Sequence, residues 1–153
     1  MNAYTPAAKV LPTPDPSPTS LILLPQKHVG EPLIERLPNL RFVMIEGGFG
    51  WLPSLCWRLD KLWRRLADET PHLKRLPSEY IREHVWLTTQ PMEEPPNRDH
   101  LLDLIEWVGW DRLLFASDYP HWDFDDPSQM LPRLEEARRR QVFHDNAFAL
   151  YGN

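Results

Sequence analysis

The amino-acid sequence predicts an α/β fold built around a parallel β-sheet. Three short apolar segments, residues 41–45, 84–89 and 112–117, are each followed by a loop and an amphipathic helical pattern. Near-continuous apolar runs are typical of strands buried on both faces, as in parallel sheets. Strand–helix alternation at this spacing indicates βαβ units. Because a closed barrel needs eight strands and about 250 residues, we expect three units in 153 residues to be a piece of a larger fold.

The predicted helices are marked by apolar side chains at helical spacing. The patterns cover residues 52–67, 98–108, a stretch around 130–140, and 142–151. A further segment, residues 32–37, is predicted to be the end of a helix that precedes the first strand.

The first twenty residues differ in composition from the rest of the chain. Five of the 17 prolines fall here, among Thr, Ser and Ala. Proline removes backbone donors and fixes φ, which favours an extended segment without a packed core. We therefore expect a disordered Pro-rich segment at 1–20 and a folded region at 21–153.

Charge and cysteine content narrow the function classes. The net charge of −5, with basic and acidic residues interleaved, argues against a nucleic-acid partner. No apolar run reaches the ~18 residues of a membrane span, so no membrane partner is expected. The single cysteine, Cys56, excludes an intramolecular disulfide framework and is predicted to pack in the core. A cytoplasmic protein acting on a small molecule is the expectation.

Polar clusters stand where the three predicted strands end. They are Glu46-Gly47-Gly48, Thr88-Thr89-Gln90, and residues 117–123, which include Asp118 and His121. In βαβ folds the functional groups collect at the carboxyl ends of the strands. The three clusters are therefore the candidate site.

Five motifs in order resemble the amidohydrolase-related family of metal-dependent hydrolases and nonoxidative decarboxylases. The most specific is Phe115-Ala116-Ser117-Asp118-Tyr119-Pro120-His121-Trp122-Asp123. The others lie at residues 38–48, 57–60, 88–91 and 146–152. The resemblance covers about residues 28 to 152 and implies the C-terminal part of a (β/α)8 TIM-type barrel, with the last three strands present.

The resemblance also implies which residues carry the chemistry. Asp118 would bind the catalytic divalent metal, most readily Zn²⁺ or Mn²⁺, and handle a proton; its structural alternative is to cap the following turn. Glu46 stands where the family commonly has histidine. It would either ligate the metal or contact the substrate or the ligands. His121 is a candidate for orienting water or substrate, against a plain packing role.

Two further residues are candidate substrate contacts. Trp122 lies near the expected pocket and would wall an aromatic substrate. Arg58 would engage a substrate carboxylate, with pairing to Asp60 or Asp68 as the structural alternative.

The sequence also departs from the family pattern. None of the six histidines forms the His-x-His pair that the family's first strand carries, and the strand-five histidine has no counterpart. We expect a metal-dependent hydrolase or nonoxidative decarboxylase acting on a carboxylated cyclic or aromatic compound, in a truncated form that could lack the metal. The alternatives are a noncatalytic remnant, held in a homo-oligomer by its exposed sheet face, and one half of a split barrel that needs a partner chain.

Overall fold

The computed structural model describes residue 34, residues 37–131 and residues 134–152. The expected disordered segment 1–20 and its boundary lie outside the described residues, as does most of the predicted helix end at 32–37. In chain order the elements are β1 (Phe42–Met44), α1 (Leu52–Arg65), a 3₁₀ turn (Ala67–Glu69), α2 (Pro77–His84), β2 (Val85–Thr88), α3 (Arg98–Val108), a 3₁₀ turn (Trp110–Arg112), β3 (Leu113–Leu114), α4 (Glu136–Arg140), a π-helical turn (Gln141–Asp145) and α5 (Asn146–Tyr151). No helix among the described residues is long and apolar enough to cross a membrane.

The chain divides into two compact units. The described residues of the first are Val43–Pro53 and those within 86–152, and the second holds the rest, including Ser54–Val85. The sheet has the strand order β1-β2-β3 and lies in the first unit apart from Phe42 and Val85.

The sheet confirms the α/β prediction with a parallel pairing. Strands β2 and β3 run parallel, with Leu87 opposite Leu113. Both residues are buried, at 1% and 0% exposure, so the apolar runs reflect burial of the strands. The third strand is shorter than predicted. Beyond Leu114, the Phe115 amide donates to the Val142 carbonyl at 3.1 Å, outside the strand ladder.

Helix α3 has the bounds that the sequence predicts. Asn97 caps its start, because its side-chain oxygen accepts from the Asp99 amide at 3.0 Å. It ends at Gly109, whose φ of +105° favours glycine. Leu101 and Ile105 are buried on its inner face.

The C-terminal helices lie in the first unit, and the first of them begins later than predicted. Met130 and Leu131 are buried outside any helix and residues 134 and 135 are also non-helical, so the predicted helix at 130–140 is wrong at these four positions. Pro132 follows Leu131 in the sequence, and a proline disfavours helical geometry in the residue before it. The predicted helix at 142–151 is present, but begins in the π-helical turn and continues as α5.

The second unit contains α2, which the sequence analysis missed by placing His84 at the start of a strand. The helix begins at Pro77, a favoured first helical residue, and the Leu76 amide donates to the Glu79 carboxylate at 3.2 Å. His84 instead ends the helix, buried, with Nδ1 2.8 Å from the Leu40 carbonyl oxygen. Cys56 on α1 is fully buried, as predicted for a packing residue.

Candidate active site

Glu46 follows β1 and Asp118 follows β3, and both line one cavity of the first unit. The cavity has a volume of about 370 Å³. Its lining residues are Glu46, Gln90, Pro91, Asp118, His121, Trp122 and Asp123. The structure thus brings together four of the five predicted site residues; their roles stay predictions.

The two carboxylate residues share an unusual backbone conformation. Glu46 has φ +57° and Asp118 has φ +58°, and they are the non-glycine residues with positive φ in the described part of the chain. Left-handed geometry costs a non-glycine residue roughly 1–2 kcal/mol, and such outliers cluster at functional sites. The surrounding contacts must therefore hold both residues in place.

The threonines that end β2 hold the two flanking segments. Thr88 Oγ1 accepts from the Glu46 amide at 3.0 Å and lies 3.4 Å from the Met44 carbonyl oxygen. On the other side, Thr89 Oγ1 accepts from the Ala116 amide at 3.1 Å and reaches the Ala116 carbonyl at 3.3 Å. Both threonines are buried, at 6% and 0% exposure. These two threonines, which belong to one of the three predicted site clusters, therefore hydrogen-bond to the backbone near Glu46 and near Asp118.

Asp118 and His121 form a side-chain pair at the mouth of the cavity. Asp118 Oδ2 lies 2.7 Å from His121 Nδ1, and the His121 amide donates to the Asp118 carbonyl at 2.9 Å. The hydrogen bond to Asp118, followed by its negative charge, raises the pKa of His121 above its ordinary value. The Asp118 side chain is 14% exposed and that of His121 is 46% exposed. The pair is suited to holding a proton on the imidazole beside the cavity.

Glu46 is electrostatically connected to the same pair. Desolvation raises the pKa of Glu46, and the neighbouring Asp118 carboxyl adds to the increase through its hydrogen bond and charge. His121 acts in the opposite direction. A bound cation would favour the ionised form of Glu46, which the neighbouring Asp118 carboxyl disfavours.

The two predicted substrate contacts have different surroundings. Trp122 lines the cavity with 94% of its surface exposed, which leaves the indole face free for a ligand. Arg58 is exposed on the part of α1 in the second unit, so its substrate role stays a prediction. Of its proposed partners, Asp60 instead accepts hydrogen bonds from the Ser78 amide and hydroxyl, at 3.0 and 2.8 Å.

Comparison with known proteins decides the family. The amidohydrolase family profile matches residues 17–153. The chain belongs to this family.

Several similar proteins are decarboxylases. A γ-resorcylate decarboxylase of Polaromonas sp. (strain JS666) is 29% identical over 127 residues, which cover 80% of this chain and 37% of that protein. The crystal structure of 5-carboxyvanillate decarboxylase from Sphingomonas paucimobilis matches with a TM-score of 0.65 and 26% identity, over 87% of this chain and 38% of that one. A dihydroxybenzoic acid decarboxylase from Polaromonas sp. JS666, with bound manganese and the inhibitor 2-nitroresorcinol, matches with a TM-score of 0.56 and 25% identity, over 77% of this chain and 35% of that one. The chain therefore spans somewhat more than a third of the length of these relatives.

The residues of this amidohydrolase that could hold a divalent metal form part of a site. Glu46 and Asp118 offer carboxylate oxygens and His121 offers a nitrogen, which suits Mn²⁺ or Zn²⁺. Within residue 34 and residues 37–131 and 134–152, however, no group of three or more His, Cys, Asp or Glu side chains could hold a metal ion. The carboxylates and the imidazole are metal-binding types of side chain, but as arranged among the described residues they do not form a site of three or more ligands.

Proposed function

We propose that this chain supplies one side of the active site of a metal-dependent, nonoxidative decarboxylase of aromatic carboxylates. The observation that carries the proposal is the convergence of Glu46, Asp118 and His121 on one cavity at the ends of β1 and β3. The decarboxylase names of the relatives favour this reaction over hydrolysis, which the family also performs.

In this proposal the carboxylates and the imidazole have separate roles. Glu46 and Asp118 would hold part of the coordination shell of a divalent cation, which would supply positive charge near the substrate's carboxylate. When the bond between ring and carboxylate breaks, CO₂ leaves and the electron pair stays on the ring carbon, which then takes up a proton. His121 holds that proton on its imidazole, because Asp118 stabilises the charged form from the Nδ1 side. Solvent restores the proton at the open cavity mouth.

Trp122 binds the substrate ring in this proposal. Its indole lies at the cavity and is almost fully exposed, so a planar aromatic ligand would cover apolar surface that water now contacts. The relatives named for γ-resorcylate and 5-carboxyvanillate act on substrates of this shape.

The remaining ligands come, in this proposal, from residues outside the described set. Two carboxylates leave most coordination positions of a four- to six-coordinate ion open. Those ligands would belong either to a longer form of this polypeptide or to a partner chain, as in a split barrel. If the cavity binds a metal, the missing ligands favour a longer polypeptide or a split barrel over a noncatalytic remnant.

The first test measures metal binding at the cavity of the full 153-residue chain. Mn²⁺ is titrated into ¹⁵N-labelled protein, and paramagnetic broadening is followed at the His121 and Trp122 resonances. We expect selective broadening there, and its loss in Asp118→Asn. Asp103→Asn is the matched control, because Asp103 is exposed on α3. Broadening that is equal in the wild type and Asp118→Asn would overturn the proposed role of the cavity.

The second test measures the reaction. Transcript sequencing upstream of the Met1 codon identifies the polypeptide or partner that carries the remaining ligands, and that assembly is assayed for CO₂ release from 2,6-dihydroxybenzoate and 5-carboxyvanillate. We expect Mn²⁺-dependent activity that falls by about 10²–10⁴-fold in His121→Asn. The control His100→Asn changes an exposed histidine on α3 and should keep the activity. Hydrolysis of cyclic amides without CO₂ release from either acid would contradict the decarboxylase assignment.

A further inference from the structure

We infer that Glu93 is a positioning residue that holds Glu46 in the geometry required at the cavity. The inference rests on the proposed function for its catalytic consequence. Its structural basis is a set of hydrogen bonds and close approaches within the first unit, which we call the Glu93 clamp: the Glu93 carboxylate with the backbone of residues 48–50.

The clamp is made by one carboxylate oxygen that accepts two backbone hydrogen bonds. Glu93 Oε1 accepts from the Phe49 amide at 2.8 Å and from the Gly50 amide. Hydrogen bonds to a charged acceptor are roughly twice as strong as neutral ones. Because the Glu46 amide also donates to Thr88 at 3.0 Å, the turn after β1 is held at one end by the last residue of β2 and at the other by the segment that follows β2.

Glycines in this turn make the close approach possible. A Cβ on Gly50 would lie 2.9 Å from Glu93 Oε1 and 3.1 Å from its Cγ, and a Cβ on Gly48 would lie 3.0 Å from Oε1. Gly48 also has φ +59°. A Cβ on Gly47 would meet nothing within 4 Å. Two of the three glycines are thus explained by the clamp, and the third provides a control.

The segment that carries Glu93 also contacts the loop that contains Asp118. The Met92 amide donates to Asp125 Oδ2 at 3.2 Å, and the Asp125 amide donates to the Ser117 carbonyl at 2.9 Å. Met92 and Glu93 are adjacent, so one short segment binds the backbone of the turn after β1 and the side chain of Asp125 in the loop that contains Asp118. This arrangement fixes the separation of Glu46 and Asp118, which a shared ligand requires.

The second oxygen of Glu93 gives the clamp an energetic cost. Glu93 Oε2 is buried and has no hydrogen-bond partner among the described residues. An unsatisfied buried oxygen is costly, and a neutral acceptor would make the two backbone contacts at lower cost. The charged carboxylate binds the turn that carries Glu46 more strongly than a neutral acceptor would.

The experiment compares five variants of the full chain by NMR. Hydrogen exchange of the Phe49 amide reports the clamp, and Mn²⁺ broadening at His121 reports the cavity. We expect Glu93→Ala and Gly50→Ala to speed Phe49 exchange by about tenfold and to raise the Mn²⁺ concentration for half-broadening by about tenfold. Glu93→Gln keeps an acceptor oxygen but removes the negative charge, so it should change both readouts in the same direction and by less than Glu93→Ala, and it decides the question if Glu93→Ala does not fold.

The controls are Gly47→Ala, whose Cβ enters open space, and Glu94→Ala, which removes the exposed neighbouring carboxylate. Both should match the wild type in both readouts. Unchanged Phe49 exchange in Glu93→Ala would overturn the clamp, and faster exchange with unchanged Mn²⁺ broadening would overturn its positioning role. If the wild type itself shows no selective broadening, the proposed function fails while Phe49 exchange still tests the clamp separately.

Discussion

Thr89→Val is the substitution that most directly tests how the end of β3 is held. Valine has nearly the shape of threonine, so the fully buried site loses a hydroxyl and gains no cavity. The hydroxyl accepts from the Ala116 amide at 3.1 Å and lies 3.3 Å from the Ala116 carbonyl oxygen. Both Ala116 backbone groups lose their partner in the variant.

The expected loss follows from these two groups. A buried backbone group left without a partner costs about 1–3 kcal/mol, and Ala116 is half-buried, which favours the lower end for each. We expect the free energy of unfolding to fall by about 2 kcal/mol, or ~30-fold in the folding equilibrium constant. For a chain of this size that corresponds to a decrease in Tm of roughly 4–8 °C.

Urea unfolding of the two proteins measures the difference, and hydrogen exchange of the Ala116 amide locates it. Thr70→Val is the matched control, because the Thr70 hydroxyl donates to the Leu66 carbonyl at 3.1 Å in an exposed turn. It should cost less than about 0.5 kcal/mol. If Thr89→Val and Thr70→Val have the same effect, or if Ala116 exchange is unchanged, the hydroxyl does not hold the end of β3.

Two further predictions concern stability. Asn146→Ala removes a buried amide that donates to the Trp110 and Leu113 carbonyls at 2.6 and 2.7 Å, so unfolding free energy in urea should fall by about 2–4 kcal/mol; a loss under 1 kcal/mol would contradict this. Burial, with a smaller contribution from Asp60, raises the pKa of the Cys56 thiol from 9.0 to about 11. The unfolded thiol therefore loses its proton first, and stability should fall between pH 9 and 11 by an amount that is absent in Cys56→Ala; parallel pH profiles would refute it.

The sequence predicts best those elements whose signals are local. Helix α3 has a capping Asn97 before it and Gly109 after it, so its bounds follow from neighbouring residues. Helix α2 was missed because its apolar residues, Tyr80 and Ile81, precede a strand directly and the boundary at His84 carries no turn signal. The length of β3 was overestimated because its last residues bond to a side chain and to Val142, which periodicity cannot show.

In the candidate site, too, the sequence identifies the residues that have a local signal and misses the one that has none. Glu46, Asp118 and His121 could be named because they stand at strand ends or in a recognisable motif. Glu93 was not singled out, since a glutamate in a polar, proline-rich loop is indistinguishable from a solvated one. The Gly-Gly-Phe-Gly turn carries the indirect evidence for such a contact. Its glycines at 48 and 50 leave space for a group that the sequence does not identify.

The left-handed backbone at Glu46 and Asp118 connects the fold to the proposed chemistry. At roughly 1–2 kcal/mol for each residue, neither conformation would persist without tertiary support, and each has a separate support. Glu46 is held by Thr88 through its own amide, and Asp118 lies in a loop closed by the bond from the Asp125 amide to Ser117. These supports are hydrogen bonds to backbone groups and remain when the two carboxylates change protonation or ligation. The chain's own contacts therefore orient the two carboxylates before any ligand binds, which lowers the cost of ordering them on binding.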